Sequence, residues 1–330
     1  MQKIIDFVPL LSMIQEHISS RYAAALSDSS KLPQLRSYID KYLLDTGYVV
    51  EGLTQTELSN KLYSEMAEYS ILTKYLGRDN IEEININAWN DIAITYTSGR
   101  TIKAKEHFYS PSHAVDIVKR LLHHSGMIID NSTPMSQGHL PNNTRITALK
   151  EPLVDNEVGV AGATSSGKTT LLNALLTTIP DGKRVFTIET GSRELSLVRK
   201  KKGRVVNNVV HTLSRPSDNP AFDITQEDLV VASLRFNPDI VCVGEMRDVE
   251  CYSAVEASLT GHTVVSTVHA FAADSAHMRI ALLCQKRFPI DFKTSLMQAG
   301  QAFPIVVYSH KLENNERKIM DISECEILPN

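Results

Sequence analysis

The 330-residue chain is long enough for two domains, and its 42% hydrophobic content is ample for buried cores. Its formal net charge of −4 gives no bulk attraction to nucleic acid or an acidic membrane surface. The four cysteines, Cys242, Cys251, Cys284 and Cys325, form no Cys-x-x-Cys pair, so they argue against a zinc site or disulfide framework and for reduced thiols. In chain order, helices are predicted over 10–27 and 31–46, separated by the turn-like Ser27–Pro33. A third helix is predicted over 54–76, with Gly77 as its stop. Short β-type runs follow at Glu83–Asn87, Ile92–Thr97 and Thr101–Glu106, joined by Asn-Asp and Ser-Gly turns, and a helix is predicted over 111–125.

Strands and helices alternate in the second half. A strand at Val158–Ala161 enters a glycine-containing turn, and a helix is expected over 168–179. Further strands are predicted at Arg184–Glu189, Ile240–Glu245 and Thr263–His269, with helices near 225–235 and 248–260 between them. This alternation predicts an α/β fold with a parallel sheet covered on both faces. The expected organisation is a helical arm (1–76), an α+β domain (77–150) and a second α/β domain (151–330). The basic run Arg199–Arg204 reads as a solvated turn, with a phosphate or lipid contact as the alternative. No apolar run reaches the ~20 residues needed to span a bilayer, and Met1–Leu11 lacks the pattern of a signal peptide. The expectation is a cytoplasmic chain that meets a membrane through a partner.

The strongest motif is Gly162, Ala163, Thr164, Ser165, Ser166, Gly167, Lys168 and Thr169, which fits G-x-x-x-x-G-K-[ST] and is followed by Thr170. Triphosphate is densely anionic, so its receptor needs many donors in a small concave space. The glycines let backbone N–H groups turn inward, and the following helix adds the positive end of its dipole. Lys168 supplies a full charge for the outer phosphates, and Thr169 a hydroxyl for Mg²⁺. Hydrolysis also needs carboxylates to activate water and help hold the metal. Glu189 and Glu245 each close an apolar strand and are the candidates, with Glu189 as a metal ligand beside Thr169. His269 ends another apolar strand within expected reach of the terminal phosphate.

The order of these blocks is recognisable. Thr187–Glu189 with Glu194-Leu195, Leu234-Arg235 with Pro238–Ile240, Gly244-Glu245 with Arg247-Asp248, and Thr260–His262 with Thr267–Ala270 follow the phosphate loop. Together they resemble the type II/type IV secretion ATPase superfamily, and within it the CpaF-like ATPases of Flp/Tad pili. Ile81–Asn87 and Leu140–Ile146 are similar to two segments of that superfamily's N-terminal domain. The resemblance implies a RecA-like P-loop NTPase domain with a central parallel sheet, preceded by a smaller α+β domain and the helical arm. It implies a homo-hexamer binding ATP and Mg²⁺, peripheral to the inner face of the cell membrane through an inner-membrane platform protein. Glu245 would then polarise the attacking water, Glu189 assist, His269 link to the γ-phosphate, and Arg145 complete the site, with Arg100 a weaker match. The implied activity is an ATP-driven motor for secretion, pilus assembly or conjugation. The alternative is a nucleotide-gated component that binds ATP with little hydrolysis. That alternative is raised by Thr190, where the family carries Asp, and by the short, arginine-free stretch Ala148–Asn156.

Overall fold

The structure, a computed structural model, describes residues 3–22, 32–123, 125–130, 132–140, 144–149, 168–217, 219, 222–314 and 316–326. The chain divides into two compact units, 1–127 with 139–144 and 128–138 with 145–330.

The first unit opens with β1 (Lys3–Ile4), α1 (Phe7–Arg21), α2 (Leu32–Thr46), β2 (Tyr48–Val49) and α3 (Gln55–Ala67). Apolar residues recur once per helical turn. Leu10, Leu11, Ile14 and Ile18 of α1 meet Leu35, Ile39 and Leu43 of α2 and Leu58, Leu62 and Met66 of α3 in one buried cluster. Helix α1 begins ahead of the expected position because Pro9 lies in its first turn, where a missing N–H costs nothing. Helix α3 starts on a reciprocal cap, in which the Thr54 hydroxyl accepts from the Glu57 N–H and the Glu57 carboxylate accepts from the Thr54 N–H.

Helix α3 also stops far short of Gly77. The Arg120 guanidinium donates to the carbonyls of Glu65 (3.0 Å) and Glu68 (2.6 Å), and Ser70 turns into the left-handed region at φ 54°. The Ser70 hydroxyl then donates to the buried Glu65 carboxylate at 2.9 Å. These long-range contacts outweigh the helix propensity of 68–76. Beyond them, β3 (Ile81–Ala88), β4 (Asp91–Tyr96) and β5 (Thr101–Lys103) form an antiparallel sheet, and α4 (Pro111–His123) follows. Ile92, Ile94, Phe108 and Ile117 are buried in its core.

Strands β6 (Met135–His139) and β7 (Arg145–Leu149) pair with each other. The second unit continues with α5 (Lys168–Leu176), β8 (Arg184–Glu189), β9 (Lys200–Lys201), β10 (Arg204–Val205), β11 (Asn208–Leu213) and α6 (Gln226–Ser233). It ends with β12 (Ile240–Met246), α7 (Glu250–Leu259), β13 (Thr263–Val268), α8 (Ala273–Cys284), α9 (Phe292–Ala302), β14 (Ile305–Lys311) and β15 (Arg317–Glu324), the last two strands pairing antiparallel.

The central sheet is parallel, in the order β11-β8-β12-β13. Alternate residues face opposite sides. Val185, Val209 and Cys242 pack beneath Leu172 and Leu176 of α5 and beneath Leu195 and Leu197. Phe186, Ile188, Val241, Val243 and Val264 pack against α6 to α9 through Leu229, Val255, Ile280, Leu283 and Ala299. Both faces are therefore covered, as near-continuous apolar strands require. Strand β11, α8, α9 and the β14–β15 pair were not among the predicted elements. Lys200–Arg204 of the basic run are exposed, as expected of a turn, but they fold as part of the hairpin β9–β10, while Arg199 is half-buried.

Candidate functional site

Parallel strands present their C-terminal ends together, and in open α/β sheets that edge carries the ligand crevice. Strand β8 delivers Glu189 to this edge, β12 delivers Glu245, and β13 leads directly into His269. Helix α5 begins at Lys168, so Thr169 and Thr170 lie in its first turn, at the positive end of its dipole. Gly162, Ala163, Thr164, Ser165, Ser166 and Gly167, and the strand expected at Val158–Ala161, lie outside the described residues.

The side chains converge. His269 stands between Lys168 and Glu245, with its Nδ1 3.3 Å from the Lys168 Nζ and its Nε2 2.6 Å from the Glu245 Oε1. The ammonium can only donate, so Nδ1 accepts and the ring proton sits on Nε2, facing the carboxylate. The Nε2 contact is within ion-pair distance but lacks the alignment of a hydrogen bond. Arg247 pairs with the other carboxylate oxygen of Glu245. The turn leaving β12 is fixed by the buried Glu250, whose carboxylate accepts from the N–H groups of Arg247 (2.5 Å) and Asp248 (2.8 Å).

Glu245 reaches this cluster because β12 is irregular. Its register against β13 shifts between Val243 and Met246, so Gly244 and Glu245 together oppose Thr267. The Thr267 hydroxyl donates to the Gly244 carbonyl at 2.8 Å. Strict alternation would send Glu245 to the same side as Val243, into the apolar layer under α6 to α9. The bulge gives that direction to Met246 instead, which is buried in that layer, and frees Glu245 for the α5 side.

Glu189 lies on the α5 side and is 4% exposed. Its Oε1 accepts from the N–H groups of Glu194 (2.7 Å) and Leu195 (3.0 Å), while its Oε2 is buried without a hydrogen-bond partner. Burial raises its pKa above the ordinary carboxylate range, and the two N–H donors only partly offset this. A Cβ at Gly244 would come 3.2 Å from the Glu189 Cγ, so the missing side chain leaves room for the carboxylate. Among the described residues no cluster of His, Cys, Asp and Glu could hold a metal alone. The Thr169 hydroxyl and the unpartnered Glu189 Oε2 are hard oxygen donors. They suit Mg²⁺, which takes one or two protein ligands and otherwise phosphate oxygens and water.

Arg145 begins β7, is exposed, and has no hydrogen bond or ion pair with Glu189, Glu245 or His269 among the described residues. Two residues near this edge, His211 and Arg193, were not singled out from the sequence. Thr187 and His211 lie opposite each other on β8 and β11, with the Thr187 hydroxyl 2.8 Å from the His211 Nδ1. His211 is 5% exposed, and its Nε2 has no hydrogen-bond partner. Burial, followed by the nearby Arg193, lowers its pKa to about 3. Arg193 itself donates to the Leu195 carbonyl. The only sequence signal for this pair is polar residues inside an apolar run.

Comparison with known proteins bears on the family and the fold. PtlH of Bordetella pertussis, a type IV secretion system protein, is 33% identical over 177 residues, covering 52% of this chain and 50% of that protein. The type II secretion system ATPase E of Vibrio cholerae is 32% identical over 281 residues, covering 83% of this chain and 50% of that protein. The chain thus spans about half the length of these curated relatives. The crystal structure of the VirB11 ATPase from the Brucella suis type IV secretion system superposes with a TM-score of 0.62 at 18% identity, over 77% of this chain and 95% of that one. That likeness establishes the fold as RecA-like, with a central parallel sheet. No helix among the described residues is long and apolar enough to cross a membrane. Residues 112–307 match the family described as "Type II/IV secretion system protein", and the chain belongs to that family.

Proposed function

We propose that this chain is the ATP-hydrolysing motor of a secretion, pilus-assembly or conjugation machine. The observation that carries the reading is the alignment of Lys168, His269 and Glu245 at the C-terminal edge of the sheet, beside the first turn of α5. Lys168 and the N-terminus of α5 would neutralise the phosphates. Glu245 would orient and partly deprotonate the attacking water. His269 touches both groups, so a change at the terminal phosphate would reach the carboxylate through one imidazole. Thr169 and Glu189 would hold Mg²⁺, which supplies charge neutralisation on the phosphate oxygens. Arg145 is proposed as a further cation for the transferred phosphoryl group.

The homo-hexamer, the membrane-platform partner and a site at the inner face of the membrane are part of the same proposal. They are supported by family membership. The test is phosphate release by the purified chain and by Glu245→Gln. The variant should bind ATP normally and release phosphate at least about a hundredfold more slowly. Equal rates in the two would overturn the assignment. Thr190, whose hydroxyl meets Ser214 at 3.2 Å where the family carries a carboxylate, favours the second reading of a nucleotide-gated component. Tight ATP binding with release at background in the parent would select it.

A further inference from the structure

The β9–β10 hairpin presents four cations away from the candidate nucleotide site. Its base is tightly held. Arg199 pairs with Asp181 at 2.8 Å and donates to the carbonyls of Thr177 and Ile179. The Asn207 side chain accepts from the Arg199 N–H and donates to the Leu197 carbonyl. These bonds fix the hairpin beside Asn208, the first residue of β11. It therefore sits at the N-terminal edge of the parallel sheet, opposite the edge that carries Glu189 and Glu245.

Past Arg199, the exposed residues Lys200, Lys201, Lys202 and Arg204 have no acidic partner among the described residues. Four other exposed cations of the unit are paired, Lys183 with Asp239, Lys286 with Asp248, Arg287 with Glu227 and Lys318 with Glu316, and those without an ion pair, such as Arg235, Lys293 and Lys311, are not gathered in one short run. Two features of the tip oppose its own stability. Lys201 lies directly across from Arg204, a like-charge pair on one face. The two-residue turn needs left-handed backbone at both positions, φ 51° at Lys202 and 76° at Gly203. The first of these ordinarily falls to Asn, Asp or Gly. A lysine there gives up turn stability and places a charge at the tip, as a surface that meets an anion would.

We propose that this hairpin is a docking surface for an anionic lipid bilayer. The inference goes beyond the motor reading and does not depend on it. A cluster of four flexible cations without aromatic residues matches a diffuse lattice of phosphate headgroups. The tip offers no ring to stack a base, which disfavours single-stranded nucleic acid. A turn flanked by two-residue strands is also too small for the multi-phosphate footprint of duplex binding, and the chain's net charge of −4 supplies no second basic surface.

The test is co-sedimentation of the full chain with phosphatidylcholine vesicles, with and without phosphatidylglycerol, at low and high salt. The parent should bind only the anionic vesicles, and salt should release it. Each lost cation should weaken binding about fivefold. Replacing Lys200, Lys201, Lys202 and Arg204 together with Gln should therefore cost on the order of several hundredfold. Replacing the three lysines with Arg should preserve binding. Lys202→Asn separates charge from folding. It relieves the turn and should raise the unfolding midpoint, yet bind anionic vesicles about fivefold more weakly. Equal binding by parent and quadruple variant, or equal binding of the parent to neutral vesicles, would overturn the proposal. So would duplex DNA binding tighter than vesicle binding and lost in the same variant, which would assign the hairpin to nucleic acid.

Discussion

His211 makes the second unit sensitive to mild acid, and the size of the effect follows from its burial. The folded chain holds this imidazole neutral, with a pKa of about 3. The unfolded chain restores it to about 6.5. The folded value is depressed, so the stabilisation is complete above about pH 6.5 and is lost as pH falls towards 3, because only the unfolded chain takes up the proton. Between pH 7.5 and 5.5 the linkage amounts to about 1.4 kcal/mol, and by pH 4.5 to about 2.7 kcal/mol. His211→Asn keeps a polar atom opposite the Thr187 hydroxyl but removes the titration. Urea unfolding of parent and variant at each pH, followed by backbone circular dichroism, isolates the difference from the other histidines. Trp89 lies in the first unit, so its fluorescence is the control. The parent should lose about 1.4 kcal/mol more than the variant over those two pH units, a relative midpoint shift of roughly half a molar in urea. A parent-to-variant difference that does not change with pH would refute the reasoning.

Two further outcomes follow from the buried carboxylate at the same edge. Glu189 has a raised pKa, so ionising it costs the folded state stability as pH rises through the folded value, whereas below the ordinary carboxylate pKa both states are protonated. Glu189→Gln should therefore be more stable than the parent near neutral pH, with the margin closing in acid, while phosphate release falls; a margin that widens in acid would contradict this. Gly244→Ala places a methyl 3.2 Å from the Glu189 Cγ and 3.4 Å from the Ile188 carbonyl oxygen. Steady-state phosphate release should show kcat lowered about tenfold with KM for ATP little changed, and unchanged kcat would mean the carboxylate position is not critical.

The parts of the fold legible in the sequence were those whose signal is local. The apolar strands ending in Glu189 and Glu245 declare themselves by composition and by a terminal charge, and Lys168 by the spacing of its motif. What escaped depends on contacts distant in sequence. Strand β11 carries His211 and Thr212 in its interior, polar residues that break the apolar pattern of a buried strand and are accommodated by hydrogen bonds with Thr187 of β8. Helix α3 has the composition to continue, but Arg120, more than 50 residues later, takes its terminal carbonyls. The basic run gave its exposure but not its hairpin, because a lysine at a left-handed turn position contradicts the usual turn chemistry.

The bulge in β12 is the step that composition could least reveal, and the site depends on it. A regular strand would bury Glu245 beside Val243, where a carboxylate would be desolvated and would lose its contact with His269. Taking Gly244 and Glu245 together against Thr267 changes the parity of one residue, and Met246 fills the apolar position instead. The same Gly244 leaves space for Glu189, so one side-chain-free residue serves both carboxylates. Their environments then diverge. Glu189 is buried with one oxygen fixed by two N–H groups and the other unpartnered, whereas Glu245 is held between Arg247 and His269 at the open edge. One carboxylate buried with a raised pKa and another held by Arg247 and His269 at the open edge are suited to different work: the first to a metal that would take the place of its proton, the second to meeting water.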